Sequence, residues 1–404
     1  MRVLLINVVC GIRSTGRICT DIAELLEEKG HECKIAYGRE EVPEQYKKYA
    51  VKIGTELDAK LHALGSRIFD NTGFYSKRAT EKFIEWVKEY DPDIINLHNI
   101  HGYYINIKLL FDYLRESGKP VVWTLHDCWA FTGHCPHFMN VDCKKWLEEK
   151  CANCPKKHDY PASIFLDNSK GNLKIKKTLF ASLNNMTIVT PSQWLSEVTK
   201  KTFLAKYPIK VINNGINTEN FQPIQSDFKK NNNLEGKKVL LGIASVWYES
   251  KGLKDFIALR EMLDEDYEIV LIGLTEKQIR ELPKGIIGIT RTNNVKQLAE
   301  IYTAADVFVN PTREENYPTV NLEAQACGTP VVTYNTGGSA ECLLEGIGAV
   351  TKEKTPEALK AALLETLDNK KQIDTQKLKL TFSQKVRFGK YINLFEEIGI
   401  GNEK

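Results

Sequence analysis

No run of about 18 apolar residues occurs in this 404-residue sequence, so no segment is expected to cross a bilayer as a helix. Charge of one sign is not in excess: 55 lysines and arginines face 52 acidic residues, a net +3, which gives no general basic field for nucleic acid. There is no internal repeat, no low-complexity tract and no dinucleotide-type run of three glycines. The ten cysteines stand mostly alone, a pattern of a reducing cytoplasm rather than a disulfide framework. The opening "MRVLLINVVCGIRSTG" has a short apolar run without a cleavage site and reads as a first buried strand, not a signal peptide.

What is present is an alternation. Hydrophobic content of 42% and charged content of 26% are globular values, and the length suits two cores. "RVLLINVV", "CKIAYG", "IINLHN", "PVVWTLHD" and "MTIVTPS" read as buried parallel strands, with helical stretches such as "GRICTDIAELLEEKG" and "YYINIKLLFDYLRESG" between them. The pattern restarts with "KVLLGIAS", "YEIVLIG", "GIIGITR", "DVFVNPT" and "TPVVTYN". Two βαβ series predict an α/β protein of two Rossmann-like, doubly wound domains, jointed near "YPIKVINNGINTENFQP". The expected boundaries are 1–205 for the first domain, with a Cys-rich loop at 128–155, and 206–380 for the second. A last long helix at 381–404 is expected to pack back on the first domain.

In open α/β sheets, ligands bind beyond the carboxyl ends of the strands, so the residues just after each strand carry the chemistry. After the first strand, Gly11 and Gly16 flank a polar turn into a helix; plain turn chemistry and close approach of a ligand are both open. After the third and fourth come His98, Asn99 and His101, then His126 and Asp127, able to hydrogen-bond sugar hydroxyls. In the second half, Lys251 and Gly252 precede a helix, where a lysine reaches a phosphate or is simply exposed. "PTREENYPTVNLEAQACGTP" then places Glu315 in a loop and Glu323 in the early turns of a helix, with the amides of Thr319 and Val320 available to a diphosphate. "YNTGGSAE" adds Gly337 and Gly338 before Glu341. Carboxylates for vicinal hydroxyls, plus a cation and amides for a diphosphate, suit a nucleotide sugar.

The Glu-x7-Glu element, "GTPVVTYNTGGSAE" and "NNGINTENFQP" resemble those of the retaining glycosyltransferases of family 4, which have the GT-B fold of two Rossmann-like domains facing across a cleft. The likeness covers nearly the whole chain. "STGRI", "LHNIHGYY" and "TLHDCWAFTGHC" look like transferases that build bacterial capsular, exo- or colanic acid-type polysaccharides. The resemblance implies that Glu323 binds the ribose, Glu315 the donor sugar, Lys251 the departing diphosphate, and that His126 lines the sugar pocket. It puts Asn316, Tyr317, Gly11, Gly16, Arg17 and Ser245 on the donor side, and His98, Asn99, His101 and Asp127 on the acceptor side. It implies a nucleotide-sugar donor and a saccharide or polyprenyl-diphosphate-linked acceptor, with no nucleic acid and no catalytic metal. A cytoplasmic protein that is peripheral at the inner membrane face fits that acceptor. Two positions depart from the family. Ser245 or Val246 stands where an arginine normally precedes the lysine, which leaves Arg313 or Arg17 as substitute cations, and Pro318 cannot donate an amide hydrogen bond.

"GHCPHFMNVDCKKWLEEKCANCP" holds Cys135, Cys143, Cys151 and Cys154 at C-x7-C-x7-C-x2-C spacing. Structural zinc and free or redox-linked thiols are both open. "KGNLKIKKTLF" carries Lys170, Lys174, Lys176 and Lys177 among Leu173, Ile175, Leu179 and Phe180, either a solvated face or a basic surface for anionic lipid. "DPD" at Asp91–Asp93 has the letters of a metal-binding Asp-x-Asp but precedes a strand, and reads as a turn. Besides the transferase, two other functions stay open: another enzyme on this fold, such as an epimerase or phosphorylase, and a non-catalytic partner that binds sugar nucleotides or glycans.

Overall fold

The computed structural model describes residues 1–369 and 374–401. It divides into two compact units, Met1–Asn213 with the chain from Arg387 onward, and Asn214–Val386.

In the first unit, β1 (Arg2–Asn7), β2 (Glu32–Tyr37), β3 (Ala50–Lys52), β4 (Ile94–Leu97), β5 (Val121–Thr124), β6 (Met186–Thr190) and β7 (Ile209–Val211) form one sheet. Its order is β3-β2-β1-β4-β5-β6-β7, with every pair parallel. Side chains along β1 alternate between two covering layers, as strand geometry dictates. Val3 and Leu5 pack with Ile18, Ile22 and Leu26 of the helix Arg13–Glu28. Leu4 and Ile6 pack with Leu110, Phe111 and Leu114 of the helix Ile107–Ser117. Each such fully buried aliphatic side chain is worth about 1.5–3 kcal/mol over exposure, which explains why these strands are apolar on both faces.

The second unit repeats the plan. β8 (Lys238–Ile243), β9 (Tyr267–Ile272), β10 (Ile286–Ile289), β11 (Val307–Asn310), β12 (Val331–Tyr334) and β13 (Gly348–Thr351) lie in the order β10-β9-β8-β11-β12-β13, again parallel. Both sheets change winding direction next to their first strand: between β1 and β4, and between β8 and β11. Loops leaving these pairs splay to opposite sides and open a crevice at each switch point.

Two expectations need adjusting. The unit boundary falls after Asn213, not at 205, because β7 pairs with β6 and closes the first sheet. The last helix does not run on from Thr381: helices Thr375–Phe382 and Gln384–Gly401 are separated at Ser383. There Ile216 bridges to Ser383, with Ile216 N donating to Phe382 O and Gln384 N donating to Ile216 O. Phe388, Tyr391, Ile392 and Phe395 of the last helix join the layer under β1 that contains Ile18 and Ile22.

Candidate active site

At the switch point of the second unit, the loops after β8 and β11 are held together by backbone. Gly252 has φ +82°, and a Cβ there would stand 2.6 Å from Pro311 O, so only glycine permits this approach. Arg313 N donates to Ser250 O at 2.8 Å. The consequence is a side-chain pair: Lys251 Nζ lies 2.8 Å from Glu315 Oε2, and both groups are partly open to solvent. Asn316 N donates to the other oxygen, Glu315 Oε1, at 3.0 Å.

Thr319–Ala326 is the following helix, and its N-cap, Pro318, provides no side-chain cap. The first-turn amides of Thr319 and Val320 therefore carry the partial positive charge of a helix start. Glu323 sits one turn further on. It is only 8% exposed, and Tyr302 Oη donates to its Oε2 at 3.0 Å. Burial, then the Glu323 carboxylate, hold the Tyr302 phenol well above its usual range, so it is a fixed donor.

Arg313 cannot stand in for the clamp arginine. Its guanidinium grips Asp255 in a two-pronged ion pair, with Nη1 2.5 Å from Oδ2 and Nη2 2.8 Å from Oδ1. Asp255 is buried and also accepts from Tyr334 Oη at 2.7 Å. Arg17, the other substitute, is exposed on the first helix of the first unit, and Ser245 is exposed after β8. Asn316 and Tyr317 are buried, Tyr317 within the apolar cluster of Tyr302 and Leu322, so the phenyl ring of Tyr317 is core rather than donor wall. Sequence reasoning noted the glycines after β12 but missed the hydroxyls beside them. Among the described residues Thr336 Oγ1 and Ser339 Oγ are buried without a hydrogen-bond partner, just past the strand end where a ligand oxygen would supply one.

The switch point of the first unit carries the histidines. His98, Asn99, His101, His126 and Asp127 line one cavity. Asn96 of β4 orients them. Its amide nitrogen donates to Val122 O at 2.9 Å, so its Oδ1 is the acceptor for His98 Nε2 at 2.9 Å. His98 Nδ1 is then the acceptor for His126 Nε2, also at 2.9 Å. Burial, with His126 adding to it, keeps the His98 ring neutral, and burial lowers His126 to about 4. His101 reaches Asp127 Oδ2 at 2.9 Å and Tyr160 Oη at 3.2 Å. Burial pushes Asp127 up, but His101 and the Trp129 amide outweigh it and hold the carboxyl at about 2. The loop after β1 is tied in by Asn7, which accepts from Asn99 N at 3.2 Å. Gly11 has φ +73° and faces the Tyr46 ring, and its N–H donates to Gly16 O at 3.1 Å. The helix that starts here, Arg13–Glu28, has no side-chain cap and no acidic residue in its first turn.

Cys135, Cys143, Cys151 and Cys154 line a second cavity together with His134. No disulfide joins them. Cys135 hydrogen-bonds Cys154, and this bond, with His134 and a backbone amide, outweighs burial and lowers the Cys154 thiol to about 7. Among the described residues, no three His, Cys, Asp or Glu side chains stand where they could together hold a metal ion. In the basic stretch after this loop Lys170, Lys174 and Lys177 are exposed, as is Ile175, and Lys177 pairs with Glu149. Lys176 is buried, with Nζ donating to Trp129 O at 2.8 Å and Thr132 O at 3.1 Å and lying 3.5 Å from the Trp129 ring centre. Leu173, Leu179 and Phe180 are core, while Ile175 faces solvent.

Two parallel doubly wound units with these loops define the GT-B class of fold. The family model "Glycosyltransferase Family 4" matches residues 15–220, and "Glycosyl transferases group 1" matches 223–385. The chain belongs to the family 4 glycosyltransferases. It is 21% identical, over 98% of its length and all of the relative, to Escherichia coli WcaC, which is named for glycosyl transfer in colanic acid biosynthesis. It is 27% identical, over 46% of its length and 53% of the relative, to the N,N'-diacetylbacillosaminyl-diphospho-undecaprenol alpha-1,3-N-acetylgalactosaminyltransferase of Campylobacter jejuni. Sucrose-phosphate synthase of Thermosynechococcus elongatus superposes with a TM-score of 0.72 at 16% identity, covering 99% of both chains. Anabaena HepE in complex with UDP-glucose gives 0.67 at 14%, covering 98% of this chain and all of that one.

Proposed function

We propose that this transferase moves a sugar from a nucleotide-sugar donor to a saccharide or polyprenyl-diphosphate-linked acceptor, with retention, in the assembly of a surface polysaccharide. The observation that carries the reading is the Lys251–Glu315 pair beside the uncapped helix that bears Glu323, at the switch point of the second unit. Glu323 would take the ribose hydroxyls through its carboxylate, held in place by Tyr302. Glu315 would take the donor sugar. The ammonium of Lys251 and the amides of Thr319 and Val320 would meet the diphosphate as its bond to the sugar breaks, and Thr336 and Ser339 would donate to donor oxygens. Attack from the face the diphosphate leaves, with that phosphate taking the acceptor proton, gives retention without a protein nucleophile. His126 would present a neutral ring to a sugar hydroxyl, and His98, Asn99, His101 and Asp127 would form the acceptor side. Support for the donor and acceptor comes from relatives: a similar fold is bound to UDP-glucose, and a related enzyme acts on an undecaprenyl-diphosphate-linked sugar.

A thermal-shift panel of nucleotide sugars tests this. At least one is expected to raise the melting temperature, and Glu323→Gln, which keeps an acceptor for Tyr302, is expected to remove most of that shift. A panel that leaves the parent unmoved at millimolar concentration sinks the donor site and favours the non-catalytic partner.

Structural zinc on Cys135, Cys143, Cys151 and Cys154 is a separate proposal, supported by four sulfurs converging on one cavity in a loop with little core of its own. It requires their side chains to close around the ion, since no such set is closed among the described residues. Elemental analysis of protein purified under reducing conditions should find about one zinc per chain, lost in Cys151→Ser. Zinc-free protein with an unchanged melting temperature removes the proposal.

A further inference from the structure

Glu56–Phe69 is a helix turned inside out. A Thr55–Asp58 capping box starts it, and its buried residues are Ala59, His62 and Ser66. The side chains it shows to solvent include Leu57 at 64%, Leu61 at 57% and Leu64 at 56% exposure. Their i, i+4, i+7 spacing puts all three on one stripe. An ordinary surface helix buries that stripe and exposes the small and polar residues. The stripe is extended by a loop fixed to the end of the same helix: Ile164 N donates to Arg67 O at 2.7 Å, and Ser163 Oγ donates to the same oxygen. Ile164, Phe165 and Leu166, which follow, are 57%, 68% and 51% exposed. Of the sixteen large apolar side chains exposed among the described residues, eight belong to segments 57–69 and 160–166. Concentration on this scale marks an interaction surface.

We propose that this face is a membrane-docking surface, seated in the headgroup and acyl boundary of an anionic bilayer. Charge selects lipid over a second protein. The acidic groups of these two segments are engaged locally: Glu56 pairs with Lys52, Asp58 is held in the capping box by Thr55, Asp159 pairs with Lys156, and Asp167 accepts from Cys154 N and Ser169 N. Lys60 and Arg67, exposed along one edge of the leucine stripe, join no ion pair among the described residues. Apolar insertion beside basic residues is the signature of an interfacial helix. The surface also answers a question that the lipid-linked acceptor raises. Among the described residues no helix is long and apolar enough to cross a membrane, so reaching a polyprenyl diphosphate needs a face that lies on the bilayer. In purpose the inference rests on the acceptor proposed above; its geometry does not.

The test is flotation of the full chain, without donor or acceptor, on vesicles of phosphatidylcholine alone and of equal phosphatidylcholine and phosphatidylglycerol. The chain is expected to float with the anionic vesicles. Leu61→Gln/Leu64→Gln/Phe165→Ser is expected to lower partitioning by about tenfold or more. Lys60→Gln/Arg67→Gln should lower it less and abolish its dependence on salt. All five side chains are exposed, so unchanged melting temperature and unchanged nucleotide-sugar shift certify the variants. Absence of vesicle binding, or binding that the leucine variant retains, overturns the proposal. A dimer in gel filtration that the leucine variant dissociates, with no flotation, overturns it in favour of a second copy. Failure of the donor panel with intact flotation strikes the transferase reading alone.

Discussion

Lys251→Ala is expected to reduce turnover by about 10²–10³-fold with almost no change in melting temperature. The two halves of that expectation come from different physics. Lys251 and Glu315 are both partly solvated, and an exposed ion pair contributes at most about 1 kcal/mol to stability. During transfer the same ammonium would face a diphosphate whose charge grows as the sugar leaves. A well-placed group of this kind is worth roughly 3–4 kcal/mol in the transition state. The missing arginine at Ser245 or Val246 raises the stake, because Arg313 is committed to Asp255 and cannot share the load. Steady-state kinetics should therefore show a fall in kcat larger than any rise in KM. Lys251→Arg should recover part of the rate. A loss of less than about threefold in Lys251→Ala would show that the leaving charge is met elsewhere.

The largest stability effect is expected at Asp255. Truncation to alanine strands a guanidinium and a phenol that now share one buried carboxylate, and removing one partner of such a pair costs about 3–5 kcal/mol. Arg313 is partly exposed, which puts the expected value at the lower end, about 3 kcal/mol. Asp255→Asn keeps an acceptor for Tyr334 and should cost less. Arg313 lies two residues before Glu315 on one loop, so loosening it should also raise KM for the donor. Thermal unfolding with and without nucleotide sugar, set beside donor KM, reads both effects. A melting temperature within a degree of the parent would mean that the pair contributes nothing.

The contrast between Arg313 and Lys251 marks what a sequence can and cannot reveal. The alternation of apolar runs with amphipathic stretches is a local signal, and it placed both sheets, because buried parallel strands must be apolar on both faces. β3, β7 and β13 escaped notice; they lie at sheet edges and are largely half-buried or exposed, so they lack the wholly apolar signature of a central strand. The Glu315 to Glu323 spacing was legible because loop and helix start are contiguous in sequence. The partner of Arg313 was not: Asp255 is 58 residues away and meets it only when β8 and β11 pair. Lys176 reads as one of several surface lysines, and only the fold of the loop before it puts Trp129 over its ammonium. The Leu57 helix was not singled out in the sequence, and its stripe has the spacing of a core-facing helix, so spacing alone does not show that it lies in solvent.

The hydrogen-bonded series Asn96–His98–His126 has one more property. A relay of imidazoles moves protons only if each end can gain or lose one, and this series ends on an amide that does neither. It is a blind conduit. In the proposed transferase the His126 ring, held neutral by burial, would be a stationary peg that reads a sugar by where its hydroxyls fall. Recognition by this ring would then be stereochemical: the expected outcome is that a change of one donor hydroxyl from equatorial to axial alters affinity through His126 without changing its charge.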